Sequence, residues 1–543
     1  MVGYGPRGGL LWLFLFDNED IHREEYLTGM LSDRSLARLR WIGVLAFVGL
    51  FAYYIVETLR WPIVWDTAVM HYIRFMLTRG LHPYSDITDM NLPGCYILEG
   101  WAMAVFGWSD LSWRIYEFFL MAMLATSGMI IGGSRRWFAG IYAAAFFLVM
   151  HASEGPLFAV ERDEVMLVLL LAATAVFFLA VRHRKAILML PFGVLVALAC
   201  SLKPGSVLMD AALLAMVFIV MRHREERAAP YFWWGLGGNA VVALLLYLYL
   251  VQNHAIAGLL FIIRVVWPAY SQSYHSGYGH LLRHMLPMAI VPLLAFGVVA
   301  ALLQSGKLGW ERCVLFLGIA VGALSYLAQG KGAVYHRYML LMYLLLWIGW
   351  ELTGAMQRPQ TRARVVGVAG TAVLFLMAVP YYLVLLHNDP SHGQAPARLT
   401  RALDRDLVQL GGDSLQEQVQ CLDLVNGCLN SLYHLRLLQN TGATGDLLLF
   451  APVKGVDVDY YRAWFTAHQL VHPANVIVLG NEWYQGATSF DKVDIWPEYA
   501  ATLRSMYVPV VERHTGPPHE PAYRIYLRKG SDVLAKEQAN PLR

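Results

Sequence analysis

The sequence predicts a polytopic α-helical membrane protein with a C-terminal extracytoplasmic α/β domain. Three observations carry this expectation. The chain of 543 residues is 57% hydrophobic and only 15% charged, whereas a soluble protein of this size carries roughly a quarter charged residues. Apolar runs of about 16–22 residues recur, separated by short basic clusters. Beyond about residue 388 the chain turns polar, and helix-like stretches alternate with strand-like ones. Mean hydropathy is +0.46. The net charge of +3 is too small to point to nucleic acid.

Residues 1–40 read as a cytoplasmic tail. Gly9 to Phe16 is apolar but short, and it runs into Asp17-Asn18-Glu19-Asp20, so no cleavable signal peptide is expected. Arg34, Arg38 and Arg40 precede the first span, 41–59, and place the N-terminus inside. Further spans are expected over 111–133, 137–151, 164–181, 186–202, 206–221, 231–251, 286–304, 311–328, 338–354 and 365–387. Basic clusters at Arg135-Arg136, 182–185, 222–227, 307–312 and 358–364 follow one another at intervals of two spans. With all of them inside, about eleven spans result and the chain leaves the membrane outward. The transmembrane domain is then 41–387 and the extracytoplasmic domain 388–543.

Two outer loops are long. The first, 60–111, contains two stretches too short to span, Thr67–Thr78 and Leu92–Phe106, expected as interfacial helices. Pro83 and Pro93-Gly94 punctuate them. The second, 252–285, is aromatic and carries His275 in Tyr274-His275-Ser276-Gly277-Tyr278. It suits a flexible lid over a cavity. In the C-terminal domain, helices are expected over Ala397–Leu410, Val458–Leu470 and Pro497–Tyr507. Strands are expected over Leu447–Phe450, Val476–Leu479, Val508–Glu512 and Tyr523–Leu527. Cys421 and Cys428 either bridge, as an oxidising compartment allows, or stay as two buried thiols. Cys95, Cys200 and Cys313 lie in or beside apolar stretches and read as packing residues.

The outer face collects the chemistry. Asp66 stands where the first span gives way to the first interfacial helix, and a bare carboxylate there is costly to desolvate. A membrane enzyme that joins an acceptor hydroxyl or amine to an activated sugar needs a general base, and Asp66 fits by position. The structural alternative is an N-cap ahead of Thr67-Ala68-Val69, and one residue can do both. Asp86, Asp89 and Glu161 are further outer-face acids. Arg162, between Glu161 and Asp163, either pairs with them or orients the base. Lys203 follows a span in Ser201-Leu202-Lys203-Pro204. Lys331, His336 and Arg337 place three cations or potential cations within seven residues. Such a group is a phosphate clamp or, on the plainer reading, a set of side chains snorkelling to headgroups. Glycines on both sides of Lys331 let the backbone approach a ligand. No HExxH element, Walker motif, Rossmann fingerprint or GxSxG element is present. No metal site is expected from motif spacing, while a divalent ion held by separate loops stays open.

The first-loop pattern is Asp66, then Gly80-Leu81-His82-Pro83-Tyr84, Asp86 and Asp89-Met90-Asn91-Leu92-Pro93-Gly94. It resembles the outer loop of GT-C membrane glycosyltransferases of the bacterial protein O-mannosyltransferase and aminoarabinose transferase type. Lys203-Pro204 and the run Gln329 to His336 resemble elements of bacterial relatives. The resemblance covers about the first 390 residues. It implies a catalytic acid in the first loop at Asp66, while the second acid must come from elsewhere, with Asp86, Asp89 and Glu161 as candidates. It also implies a polyprenyl-phosphate sugar donor, an inverting transfer to a lipid, glycan or protein acceptor, and an inner-membrane location. The chain departs from the pattern in having a lone Asp66 rather than an adjacent acidic pair. On this reading Lys331, His336 and Arg337, with Lys203, hold the phosphate. Asp86, Arg162 and His275 complete the substrate site. A lipid-linked glycan polymerase or ligase is the alternative enzyme class, and a transporter the alternative outside enzymes.

Overall fold

An apolar run in a bilayer must satisfy its own backbone hydrogen bonds, and a helix does so within one segment. The computed structural model of the chain describes residues 33–542 except 274, 305–308, 388–390, 424–426, 452–454, 483–487 and 517–519, and it is mostly helical. Most of the expected N-terminal tail, and Lys307 of the fourth basic cluster after the first span, lie outside the described residues.

Eight helices among the described residues are long and apolar enough to cross a membrane: Arg40–Thr58, Asp110–Glu154, Arg162–His183, Pro204–His223, Ala229–Gln252, Trp310–Gln329, Val334–Met356 and Thr361–Val384. This is a multi-pass membrane protein. Asp110–Glu154 contains two of the expected spans. Its helical geometry breaks at Gly133 and Arg136, where the second arm turns away from the first. Two other expected spans are the shorter apolar helices Ala186–Leu202 and Ile290–Leu303.

The Val334–Met356 helix is buried on all sides, and Asp110–Glu154, Trp310–Gln329, Ile290–Leu303 and Thr361–His387 pack around it. Arg40–Thr58 and Ala229–Gln252 instead leave most of their apolar surface outward, as a lipid-facing helix does. The basic residues between the spans meet at one end of the bundle. Arg182 donates to the Ile130 and Ile131 carbonyls, Arg136 to Gln304 and the Trp350 carbonyl, and Arg312 to both oxygens of Glu351 at 2.6 Å.

At the other end lie the short helices of the first loop, Trp65–Thr78 and Pro93–Phe106. Pro93 opens the second at a position where its missing N–H costs nothing. Residues 252–285, expected as a flexible loop, are largely helical: Ile256–Phe261, a π turn over Ile262–Val266, Trp267–Ser273 and Tyr278–His284. Their apolar residues Ile262 and Val266 are buried in the main core, which favours helix over loop.

Residues beyond 390 carry a four-stranded mixed sheet in the order β1-β2-β4-β3. Its strands are β1 Val419–Leu422, β2 Val476–Gly480, β3 Tyr507–His514 and β4 Ala522–Arg528. β1 runs parallel to β2, and the other pairs are antiparallel. Helices Ser391–Leu410, Cys428–Leu435, Val456–Val471 and Pro497–Met506 accompany it. Leu447–Phe450 is not a strand. The amides of Leu449 and Phe450 both donate to the Asp446 carbonyl at 3.0 Å, which closes a turn. Cys421 and Cys428 form a disulfide.

This region rests on the first loop. The Asn430 amide donates to the Ile63 carbonyl at 2.8 Å, and Tyr433 to the Trp108 carbonyl at 2.7 Å. The Thr88 amide donates to the Gly442 carbonyl at 2.9 Å. Gly442 is required there, because a Cβ would fall 1.7 Å from the Asp86 carbonyl oxygen.

Candidate active site

The first-loop helix starts two residues earlier than the cap reading of Asp66 requires. Val64 is its N-cap, no side chain caps it, and Trp65 takes a left-handed φ of 60°. A bulky residue rarely adopts that conformation, and such strain collects where a side chain must be aimed. The Asp66 carboxylate is thereby free of the helix end and faces Arg162. The guanidinium donates to its Oδ2 at 3.2 Å. The two side chains are 31% and 23% exposed, so the pair adds at most about 1 kcal/mol of stability, and its effect is to fix direction.

Arg162 belongs to a tripeptide that the helix fans out. Successive helical residues point about 100° apart. Arg162 therefore reaches Asp66 while Asp163 reaches Lys203, whose Nζ is 2.5 Å from Asp163 Oδ2. Lys203 also donates to Gln329 Oε1 at 2.9 Å. The expectation that Arg162 pairs with its sequence neighbours is replaced by these two cross-loop pairs. Glu161, at the helix start, is buried beside Asp66 and Arg162 in a small void. Burial, reinforced by the Asp66 charge, pushes its carboxyl well above the usual range.

Asp66, Arg162, Lys203 and Gln329 open onto a cavity of about 510 Å³. Of the residues singled out in the sequence, Asp66, Asp89, Arg162, Lys203, Lys331 and His336 line it. Asp89 accepts from the Tyr96 hydroxyl and from Asn91 Nδ2 at 2.9 Å, yet burial still raises its pKa. Lys331 lies 3.8 Å from the centre of the Tyr270 ring and has no ion-pair partner among the described residues. Burial, with the positive charges of Lys203 and Arg162, pulls its pKa down to about 8. Gly330 and Gly332 take φ of 69° and 73°, so glycine on each side of Lys331 is a backbone requirement.

Four singled-out residues do not line the cavity, and the first of them is Glu161, which lies in the adjoining small void. Asp86 accepts from the His82 backbone amide at 2.7 Å and closes a turn. Arg337 is held by Glu154 at 3.4 Å and by the His284 carbonyl at 3.0 Å. His275 is exposed and meets the Tyr278 ring edge-on at 5.2 Å. Conversely, part of the wall comes from residues given no role in the sequence. Trp267 and Tyr270 come from the segment expected as a lid, and Thr444, Tyr461 and Trp464 come from the C-terminal region. The only signal for the last group was aromatic content.

No family model matches the sequence, and no curated protein matches it. Solved structures do. The crystal structure of ArnT from Cupriavidus metallidurans bound to undecaprenyl phosphate has 13% identity and a TM-score of 0.55. The match covers 89% of this chain and 97% of that one. The apo form of the same protein gives 14% identity and the same TM-score, over 90% and 98% of the two chains. The Archaeoglobus fulgidus oligosaccharyltransferase, tethered to an acceptor peptide containing the NVT sequon, gives 12% and 0.50, over 91% and 77%.

The chain shares its fold with these ArnT and oligosaccharyltransferase structures. At these identities the likeness is one of architecture, and it bears out the resemblance drawn from the first loop. The match with ArnT extends past residue 390, since it covers nine tenths of the chain. The departure noted in the first loop also has a spatial counterpart: Asp66 lacks an acidic neighbour in sequence but has Glu161 beside it in space.

Proposed function

We propose that the protein is a membrane glycosyltransferase that moves a sugar from a polyprenyl-phosphate donor to a lipid, glycan or protein acceptor. The reaction takes place at the outer face of the inner membrane, with residues 388–543 extracytoplasmic. One observation carries the reading. A single cavity at one end of the bundle holds a directed carboxylate, Asp66, and a cation, Lys331, that has no ion-pair partner among the described residues. Apolar residues Leu202, Leu208, Ala328 and Leu447 share its lining and suit a lipid tail. The Cys421–Cys428 disulfide agrees with an oxidising compartment for the C-terminal region.

In the proposed reaction, Asp66 takes the proton from the acceptor hydroxyl or amine. The acceptor atom bonds to the anomeric carbon with inversion as the bond from that carbon to the phosphate oxygen breaks. The polyprenyl phosphate leaves with the electron pair, and the Lys331 charge stabilises it. Arg162 holds Asp66 in line. Asp89 and Glu161, whose burial favours the protonated acid, are placed to donate hydrogen bonds. The aromatic wall of Trp267, Tyr461 and Trp464 shapes sugar and acceptor entry. The test is Asp66→Asn in a transfer assay with the purified full chain. Loss of transfer by about 10²-fold or more, with unchanged thermal stability, is expected. Full activity in this variant contradicts the proposal and favours the polymerase or ligase class, which needs no first-loop base.

A further inference from the structure

Away from the cavity, Glu117, His151 and Glu164 meet in the bundle interior, and all three side chains are fully buried. They come from both arms of the Asp110–Glu154 helix and from Arg162–His183. One ligand-capable atom from each lies within 4.8 Å of the others.

The hydrogen bonds decide which atoms face inward. Tyr338 donates its proton to Glu154 at 2.5 Å. Its oxygen therefore accepts from His151 Nδ1, 2.8 Å away. That contact fixes the tautomer and turns Nε2 towards the two carboxylates. Nε2 is 3.2 Å from Glu117 Oε1 and 3.4 Å from Glu164 Oε2. Direct charged hydrogen bonds run about 2.7–2.9 Å. Two ligands on one tetrahedral ion, each about 2.0–2.1 Å from it, stand about 3.3 Å apart.

Each ligand candidate also has the outer partner that metal ligands carry. His151 has Tyr338 and Glu154. Arg114 donates to Glu117 Oε2 at 2.5 Å, the Tyr54 hydroxyl donates to Glu117 Oε1, and the Val160 amide donates to Glu164 Oε2 at 2.7 Å. The second Glu164 oxygen is buried with no hydrogen-bond partner among the described residues. That orphan oxygen is an independent pointer to a ligand, because a buried carboxylate oxygen left unpaired is costly.

We propose that Glu117, His151 and Glu164 bind one divalent transition-metal ion, with zinc the best match to one imidazole and two carboxylates. Glu164 supplies its free oxygen as well. The ion braces the turn that feeds the cavity. Val160, tied to Glu164, is a β-branched residue at φ 57° and directly precedes Glu161 and Arg162. The rival occupant is a single proton on His151 Nε2 shared between the carboxylates.

The experiment loads the purified full chain with Zn²⁺ or Co²⁺, removes free ion, and measures metal content by mass spectrometry. About one ion per chain is expected in the wild type, with visible Co²⁺ absorption of a four-coordinate site. Glu164→Gln and His151→Gln should lose both signals, while Asp66→Asn keeps them. If the variants fail to fold, the Co²⁺ spectrum and chelator-induced loss of melting temperature in the wild type still decide. No ion bound by the folded wild type assigns the site to the proton and overturns the proposal. Ion retained in folded Glu164→Gln and His151→Gln places it elsewhere and overturns it too. Because the readout is metal content, its failure leaves the transferase reading untouched.

Discussion

Lys331 and Lys203 line the same cavity, but they are not equivalent, and Lys331→Ala exploits the difference. Lys203 is committed to Asp163 and Gln329, whereas Lys331 touches only the Tyr270 ring among the contacts described above. Removing Lys331 strands no buried carboxylate, so the fold should tolerate it. The cost falls on the donor phosphate. One charge-assisted hydrogen bond contributes about 1.5–3 kcal/mol. Binding should weaken by about 10- to 150-fold, at 1.4 kcal/mol per tenfold.

The pH dependence has a definite sign. A lysine is charged below its pKa, and that of Lys331 is pulled down to about 8. The free enzyme is then about nine tenths charged at this site at pH 7 and about one tenth at pH 9. Affinity for undecaprenyl phosphate, measured by calorimetric titration in detergent, should be high below pH 8 and fall above it. Lys331→Arg, which keeps its charge, should flatten that fall. Unchanged affinity in Lys331→Ala refutes the clamp. A wild-type profile that stays flat to pH 9.5 refutes the pKa argument.

Other perturbations test neighbouring parts of the account. Lys203→Ala should destabilise the protein by about 3–5 kcal/mol, because Asp163 is only 1% exposed and would be left unpaired. Adding Asp163→Asn should recover much of the loss, as read by thermal unfolding. Breaking the Cys421–Cys428 bridge by Cys428→Ser should cost about 2.5 kcal/mol from the entropy of a short closed loop. Alkylation followed by mass spectrometry should label only Cys95, Cys200 and Cys313 in the unreduced, denatured wild type.

The spans were legible because apolar run length and basic clusters act locally in sequence. The bend at Gly133 to Arg136 was visible for the same reason, as a gap between two runs. The first-loop helices were legible from their length and from Pro93. β1 was not: Val419–Leu422 is four residues, buried on both faces, and shows no alternation for a period-2 reading to find. Leu447–Phe450 misled in the opposite way. Leu447, Leu448 and Leu449 line the cavity rather than join a sheet. The cavity-lining residues Asp66, Arg162, Lys203 and Lys331 were legible as an acid and several cations on one face. Their pairing was not. Whether Arg162 joins Asp163 or Asp66 depends on the fan of a helix start, and Lys203 finds Asp163 only through tertiary packing. Tyr461 and Trp464 reach the wall because the C-terminal region sits on the first loop, which no local pattern announces.

The central claim is that Asp66 and Lys331 act on a polyprenyl-phosphate sugar. Mass spectrometry of lipid co-purified with Asp66→Asn tests it most directly, since this variant should bind donor without consuming it. The account predicts a polyprenyl-phosphate sugar enriched with Asp66→Asn and depleted with Lys331→Ala. Folded Asp66→Asn protein carrying no polyprenyl-phosphate species, or equal amounts in both variants, would contradict it.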